Sequence, residues 1–210
     1  MIGPSSSHTA GAVRMGRVAL KILGEDAVIA DIGLTGSFAM TYKGHGTDKA
    51  LVAGILGMKP DDERIPRSLE LAEENNLAYS FTPTKIPNAH PNTAVLDLTG
   101  INGARCTVEG ASIGGGSIQI TKLNGMTSVF NGSTDTLIIA HNDRSGTIAS
   151  VTDKLAQFDI NIGSFHLSRP KRNELAIMTI ELDSGIDKPV VNELRGLENI
   201  VSVVYMRPEG

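Results

Sequence analysis

The 210 residues include one cysteine, no tryptophan and an aromatic share of only 4%. A lone thiol, Cys106, cannot close an internal disulfide. Nor can it hold an iron-sulfur cubane, which needs three or four thiolates, or supply the two or more that a structural zinc site commonly uses. Any such metal must be carried by another polypeptide. With few aromatic rings, the core must be built from Val, Ile, Leu, Ala and Met. Basic charge is not in surplus: 19 Lys and Arg stand against 23 Asp and Glu, a net charge of -4. A general nucleic-acid binder would show the opposite balance, so no nucleic-acid partner is expected. No apolar run approaches the roughly 20 residues that span a bilayer, and no basic leader precedes a long apolar core. A soluble, cytoplasmic protein without a membrane partner is the expectation. What is present is a globular composition, 40% hydrophobic and 20% charged, with 23 glycines that favour close backbone approaches. The length suits two compact units.

Helices lead the first half. From Ala10, the residues Val13, Arg17, Leu20 and Leu23 fall near one stripe that Val18, Ile22 and Ala19 widen, ending at Gly24. Ala27 to Leu34 reads as a strand, and Gly36 to Tyr42 as a strand-to-helix corner with a short helix that Gly44-His45-Gly46 interrupts. Thr47 or Asp48 can cap a run from Lys49 to Leu56, and Ile65 to Asn76 reads as a third helix with Pro66 in its first turn. Short extended segments follow: 78–82, 93–98, 105–113, 117–123 and 127–130. Asn124-Gly125 is a two-residue hairpin signal, because both positions reach positive φ at low cost.

The polar stretch Asn131 to Asp135 reads as a linker, dividing a domain over 1–131 from a second over 135–210. Beyond it the order is strand 136–140, helix 146–158, strands 160–167 and 174–182, helix 189–195 and strand 200–205. That βαββαβ order predicts a ferredoxin-like sheet of four strands with both helices on one face. The fold class is therefore α+β, a mixed α/β-sheet domain followed by the ferredoxin-like one.

Two segments concentrate chemistry. Gly3-Pro4-Ser5-Ser6-Ser7-His8-Thr9 sets hydroxyls and an imidazole just before a helix, where unpaired N–H groups favour an anion. One hydroxyl satisfies a capping need, and this run has several. In Lys43-Gly44-His45-Gly46-Thr47-Asp48-Lys49-Ala50, flanking glycines let a ligand approach His45, an imidazole able to accept a proton near neutral pH. Asp48 can orient that ring or cap the helix, and an incidental surface His is the plain alternative. Gly114-Gly115-Gly116 lacks the spacing of a phosphate loop and reads as a bulge or close contact. His90, between Pro and Asn residues, reads as an exposed turn. In the second unit, Asn142 to Thr147 joins a strand to a helix whose N–H groups suit a small carboxylate, and Asn161 could meet an amino group.

Taken together, the motifs at 3–9 and 43–50 resemble those of the iron-sulfur-dependent bacterial L-serine dehydratases, in particular the β subunit of the two-subunit form. The resemblance covers nearly the whole chain: 1–131 is similar to the β, or allosteric substrate-binding, domain and 135–210 to an ACT domain. In that family a short strand-forming segment precedes the serine motif, so a preceding segment is expected here too.

The resemblance implies conversion of L-serine to pyruvate and ammonia without pyridoxal phosphate, using a [4Fe-4S] cluster bound by cysteines of a separate α subunit and no metal on this chain. Iron would act as Lewis acid on the serine hydroxyl while a base removes the Cα proton. His45 is the expected base, with Ser5 and His8 beside it, and Ser5, Ser6, Ser7, Thr9, Thr47 and Asp48 are the expected substrate contacts. The ACT resemblance implies side-by-side self-association across a two-fold axis and a regulatory ligand at that interface, lined by Asn142, Gly146, Thr147, Ile148 and Asn161. The alternative is a non-catalytic amino-acid sensor built from the same two domains.

Overall fold

A computed structural model describes residues 7–208. The chain divides into two compact units, Met1–Gly125 and Met126–Gly210.

In the first unit a π-helical turn, Ser7–Gly11, runs straight into α1 (Ala12–Leu23), which Gly24 ends at φ 79°. Then follow β1 (Ala27–Leu34), α2 (Gly36–His45), α3 (Thr47–Ile55), a 3-10 turn (Ile65–Arg67) with α4 (Ser68–Glu74), β2 (Ala78–Pro83), β3 (Thr93–Gly100), β4 (Arg105–Gly114) and β5 (Ser117–Leu123). The strands lie in the order β2-β1-β3-β4-β5. The β1–β2 pair is parallel and the remaining pairs are antiparallel, so the sheet is mixed.

Alternation decides which face the sheet buries: Ala30, Ile32 and Leu34 of β1, Leu96 and Leu98 of β3, and Ile118 and Ile120 of β5 are buried. Cys106 joins this core, its thiol donating to the Ala19 carbonyl at 3.6 Å. α1 and α3 cross with almost no gap. A methyl built on Gly16 would stand 2.4 Å from the Leu51 carbonyl oxygen, and one on Gly54 2.1 Å from that of Val13.

Three local expectations are corrected. The first helix begins before Ala10, because Ser7 to Gly11 already coils and Gly11 nests against Ser112, where a Cβ would lie 2.1 Å from Oγ. Gly36 to Tyr42 contains no strand, and α2 continues through Gly44 and His45 until Gly46 turns left-handed at φ 71°. α3 then starts at Thr47 with Gly46 as its flanking residue, so neither Thr47 nor Asp48 is the cap. The glycine triplet carries the expected bulge: the β4–β5 register shifts between Ser112 and Gly114.

The second unit opens with β6 (Met126–Phe130), ahead of the polar stretch 131–135. It continues with β7 (Asp135–Asn142), α5 (Thr147–Gln157), β8 (Ile162–Ser168), β9 (Leu175–Leu182), α6 (Lys188–Arg195) and β10 (Ile200–Met206). The strand order β10-β7-β9-β8, all antiparallel, is the ferredoxin-like arrangement. Its core joins Leu137, Ile139, Met178 and Ile180 of the sheet to Val151 and Leu155 of α5 and Leu194 of α6.

Candidate active site

Helix periodicity builds the site. On α2, Phe38, Thr41 and His45 are spaced by three and four residues and so share one face. His8, delivered by the π turn, lies against that face. Its ring centroid is 5.4 Å from that of Phe38 and 4.6 Å from that of His45, the two imidazoles meeting edge-on at 85°. Thr41 Oγ1 is 3.3 Å from His8 Nε2 and donates to the Ser37 carbonyl at 2.8 Å.

Burial shapes the electrostatics. His8 is buried, and this desolvation, followed by the neighbouring His45, holds its pKa below the ordinary value. Asp48 is also buried, with Oδ1 accepting from the Lys49 backbone N–H at 2.8 Å. Loss of water pushes its carboxyl pKa up, against the smaller opposing pull of that hydrogen bond.

Unsatisfied groups gather around these motifs. Among the described residues, His45 Nδ1, Thr47 Oγ1, Ser112 Oγ and Arg14 Nε are buried without a hydrogen-bond partner. Arg14 spends Nη1 on the Gly116 carbonyl at 2.8 Å. Buried polar atoms are rarely left this way, so each of these atoms is a candidate contact for a further group.

Of the expected site residues, His8, His45, Thr47 and Asp48 are carried on adjoining segments, the π turn, α2 and α3. Thr9 lies buried within the π turn. Ser7 belongs to that turn, and Ser5 and Ser6 lie outside the described residues. Thr41 and Phe38 were not anticipated, although their spacing from His45 was the signal that could have found them. Ser112 and Arg14 were also missed, because β4 and the glycine triplet reach them from far along the chain.

In the second unit Gly146 flanks α5 in the left-handed region at φ 89°, Thr147 is buried with Oγ1 unpartnered, and Ile148 is exposed. Asn142 donates its N–H to the Asn199 carbonyl at 2.8 Å. Asn161 stands apart from them. Strand register pairs Asn142 with Leu175 at one end of β9, whereas Ile162 pairs with Leu182 at the other, so a single chain does not gather all five residues. Asn161 instead donates through Nδ2 to Asp183.

Against known families, residues 1–122 match the model described as "Serine dehydratase beta chain". The chain belongs to the serine dehydratase beta chain family. Residues 134–199 match the ACT domain model. The chain is 44% identical over 203 residues to the "Probable L-serine dehydratase, beta chain" of Bacillus subtilis, covering 97% of this chain and 92% of that one. It is 39% identical over 207 residues to the "L-serine dehydratase, beta chain" of Peptoniphilus asaccharolyticus, covering 98% and 93%. A D-3-phosphoglycerate dehydrogenase of Bacillus subtilis is 27% identical over 158 residues, 74% of this chain but 30% of the dehydrogenase. No helix among the described residues is long and apolar enough to cross a membrane.

Proposed function

We propose that this beta chain supplies the proton-accepting half of an L-serine dehydratase, working in the cytoplasm with a separate α subunit to convert L-serine to pyruvate and ammonia. The observation that carries the reading is the edge-on His8–His45 pair beside unpartnered His45 Nδ1 and Thr47 Oγ1. His45 removes the Cα proton of L-serine, the β-hydroxyl leaves as hydroxide and takes that proton back from His45 to become water, and 2-aminoacrylate remains. Addition of water to its imine tautomer then gives pyruvate and ammonia. Burial, and next the neighbouring His45, hold the His8 pKa below its ordinary value, which disfavours a charged His8 beside the base. Thr41 holds the His8 ring, and His8 in turn sets the tilt of His45. Ser5, Ser6, Ser7, Thr9 and Thr47 are assigned to the substrate, and Asp48 to the start of α3 beside it.

The residues of this chain do not fit an iron-sulfur cluster. Among the described residues no three His, Cys, Asp or Glu side chains gather into a metal-holding group, and Cys106 is a buried thiol with its pKa pushed up to about 12. The [4Fe-4S] cluster is accordingly assigned to thiolates of the α subunit. The ACT unit is assigned self-association and an amino-acid ligand at the Asn142–Ile148 loop, with Asn161 available to a second copy rather than to the same loop.

The test is reconstitution of His45→Ala with the α subunit. Turnover should vanish while the cluster's absorption spectrum stays unchanged. Near-normal pyruvate formation would defeat the assignment. The sensor reading draws on the dehydrogenase that shares a similar stretch, and predicts amino-acid binding with no turnover in the reconstituted pair.

A further inference from the structure

α2 is tied to the rest of the first unit at few points. Left-handed glycines bound it, Gly36 at φ 55° and Gly46 at φ 71°, and of its ten residues Phe38 is the buried one. The chain alone leaves the roll of this helix about its axis open, so side-chain contacts must set it. Phe38 and Thr41 supply one hold, against His8. A second lies on the flank. Tyr42, about 100° round the helix from Thr41 and a neighbour of His45 on the helix surface, stacks on Phe81 of β2. The ring centroids are 5.5 Å apart and the planes meet at 29°.

Alternation along β2 explains why Phe81 is there to receive it. In the parallel β1–β2 register Tyr79 pairs with Ala30 and Phe81 with Ile32, both buried residues of β1. Ser80 pairs with Asp31 on the opposite face and donates to its Oδ1 at 2.6 Å. β2 is the edge strand, so Tyr79 and Phe81 form a half-buried ledge at the margin of the sheet. Tyr79 meets the Phe81 ring at 6.0 Å and 62°, and Lys43 Nζ stands 5.8 Å from the Tyr42 centroid. Of the five Phe and three Tyr in the chain, one Phe and two Tyr are gathered in this one row.

We propose that the Tyr42–Phe81 stack positions the proton acceptor: Phe81, on a strand outside both motifs, fixes the roll of α2 and through it holds the His45 ring in place against His8. The inference rests on the reading of His45 as that acceptor. Phe81 is a positioning residue and acts only through α2. His45 lies in the last turn of the helix, beyond Tyr42, so loss of the stack frees the end that bears the imidazole, while Phe38, nearer the start, keeps the other end seated. A misplacement of about 1 Å at a reacting group costs on the order of 100-fold in rate, whereas contacts that other residues make to substrate are untouched. The stack therefore bears on kcat rather than on KM.

The test compares Phe81→Leu and Tyr42→Leu, which remove the stack from either side, with Tyr42→Phe, which keeps the ring and removes the hydroxyl. In the full chain the nuclear Overhauser contact between the His8 and His45 rings is followed, with circular dichroism and urea unfolding to check the fold. Either Leu variant should weaken that contact, and in the pair reconstituted with the α subunit should lower kcat at least about tenfold with KM within about twofold. Tyr42→Phe should keep both the contact and kcat. Two Leu variants are used so that one that fails to fold leaves the other to decide. A lower urea midpoint with contact and kcat unchanged is what a merely structural role gives, and it overturns the proposal. So does a fall in kcat with the contact intact. A weakened contact with full kcat supports the hold on α2 and counts against His45 as the acceptor, so the two failures are told apart.

Discussion

Gly16 and Gly54 face each other where α1 and α3 cross, so closely that a methyl on Gly54 would stand 2.9 Å from the Gly16 Cα. Both motifs lead into these helices, the π turn into α1 and the glycine-histidine segment into α3. A contact between backbones thus fixes the spacing of two sequence-distant segments. Gly54→Ala should destabilise the first unit by about 1–3 kcal/mol, because the clash is with backbone and outweighs the improved helix propensity. Urea unfolding measures it, and a variant as stable as the wild type would mean the helices are free to part.

His8 gives stability a defined dependence on pH. Its folded pKa lies below the ordinary 6.5, so the unfolded chain binds the proton more readily. Stability contributed here is complete above 6.5 and falls as pH drops from there toward the lower folded value. His8→Gln should flatten that slope in midpoints of denaturation measured across the range. An unchanged slope would place the titration elsewhere.

Asp48 acts in the opposite sense. Burial raises its pKa above 3.8, so its charged form costs stability at neutral pH, and the contribution is recovered only as the carboxyl is protonated. Asp48→Asn keeps an oxygen for the Lys49 N–H and removes the charge. Thermal unfolding at neutral pH should show a higher Tm, with the gain disappearing near 3.8, while the reconstituted enzyme loses activity. A lower Tm at neutral pH would contradict this account.

Cys106 should be silent as a nucleophile. With its pKa near 12 and 4% of its surface exposed, it carries almost no thiolate at about pH 8. A disulfide reagent should label it only after denaturation. Rapid labelling of the folded chain would count against the buried position.

Much of this was legible in the residues themselves. The second unit's strand and helix order could be read because Leu137 and Ile139 alternate on a strand while Val151 and Leu155 repeat at helical spacing. His8 and His45 could be singled out by their hydroxyl and glycine neighbours. The π turn could not, since a run of Ser and Thr reads equally as a cap, and its coil depends on Gly11 meeting Ser112 of a distant strand.

Gly46 sits between the two motif helices at φ 71°, a conformation costly for any residue with a side chain. On one side of it, Thr47 is anchored through α3 to the same interlocked pair of helices that carries His8. On the other, His45 rides on α2. The 4.6 Å between the two ring centroids is accordingly set by how α2 leaves this one joint.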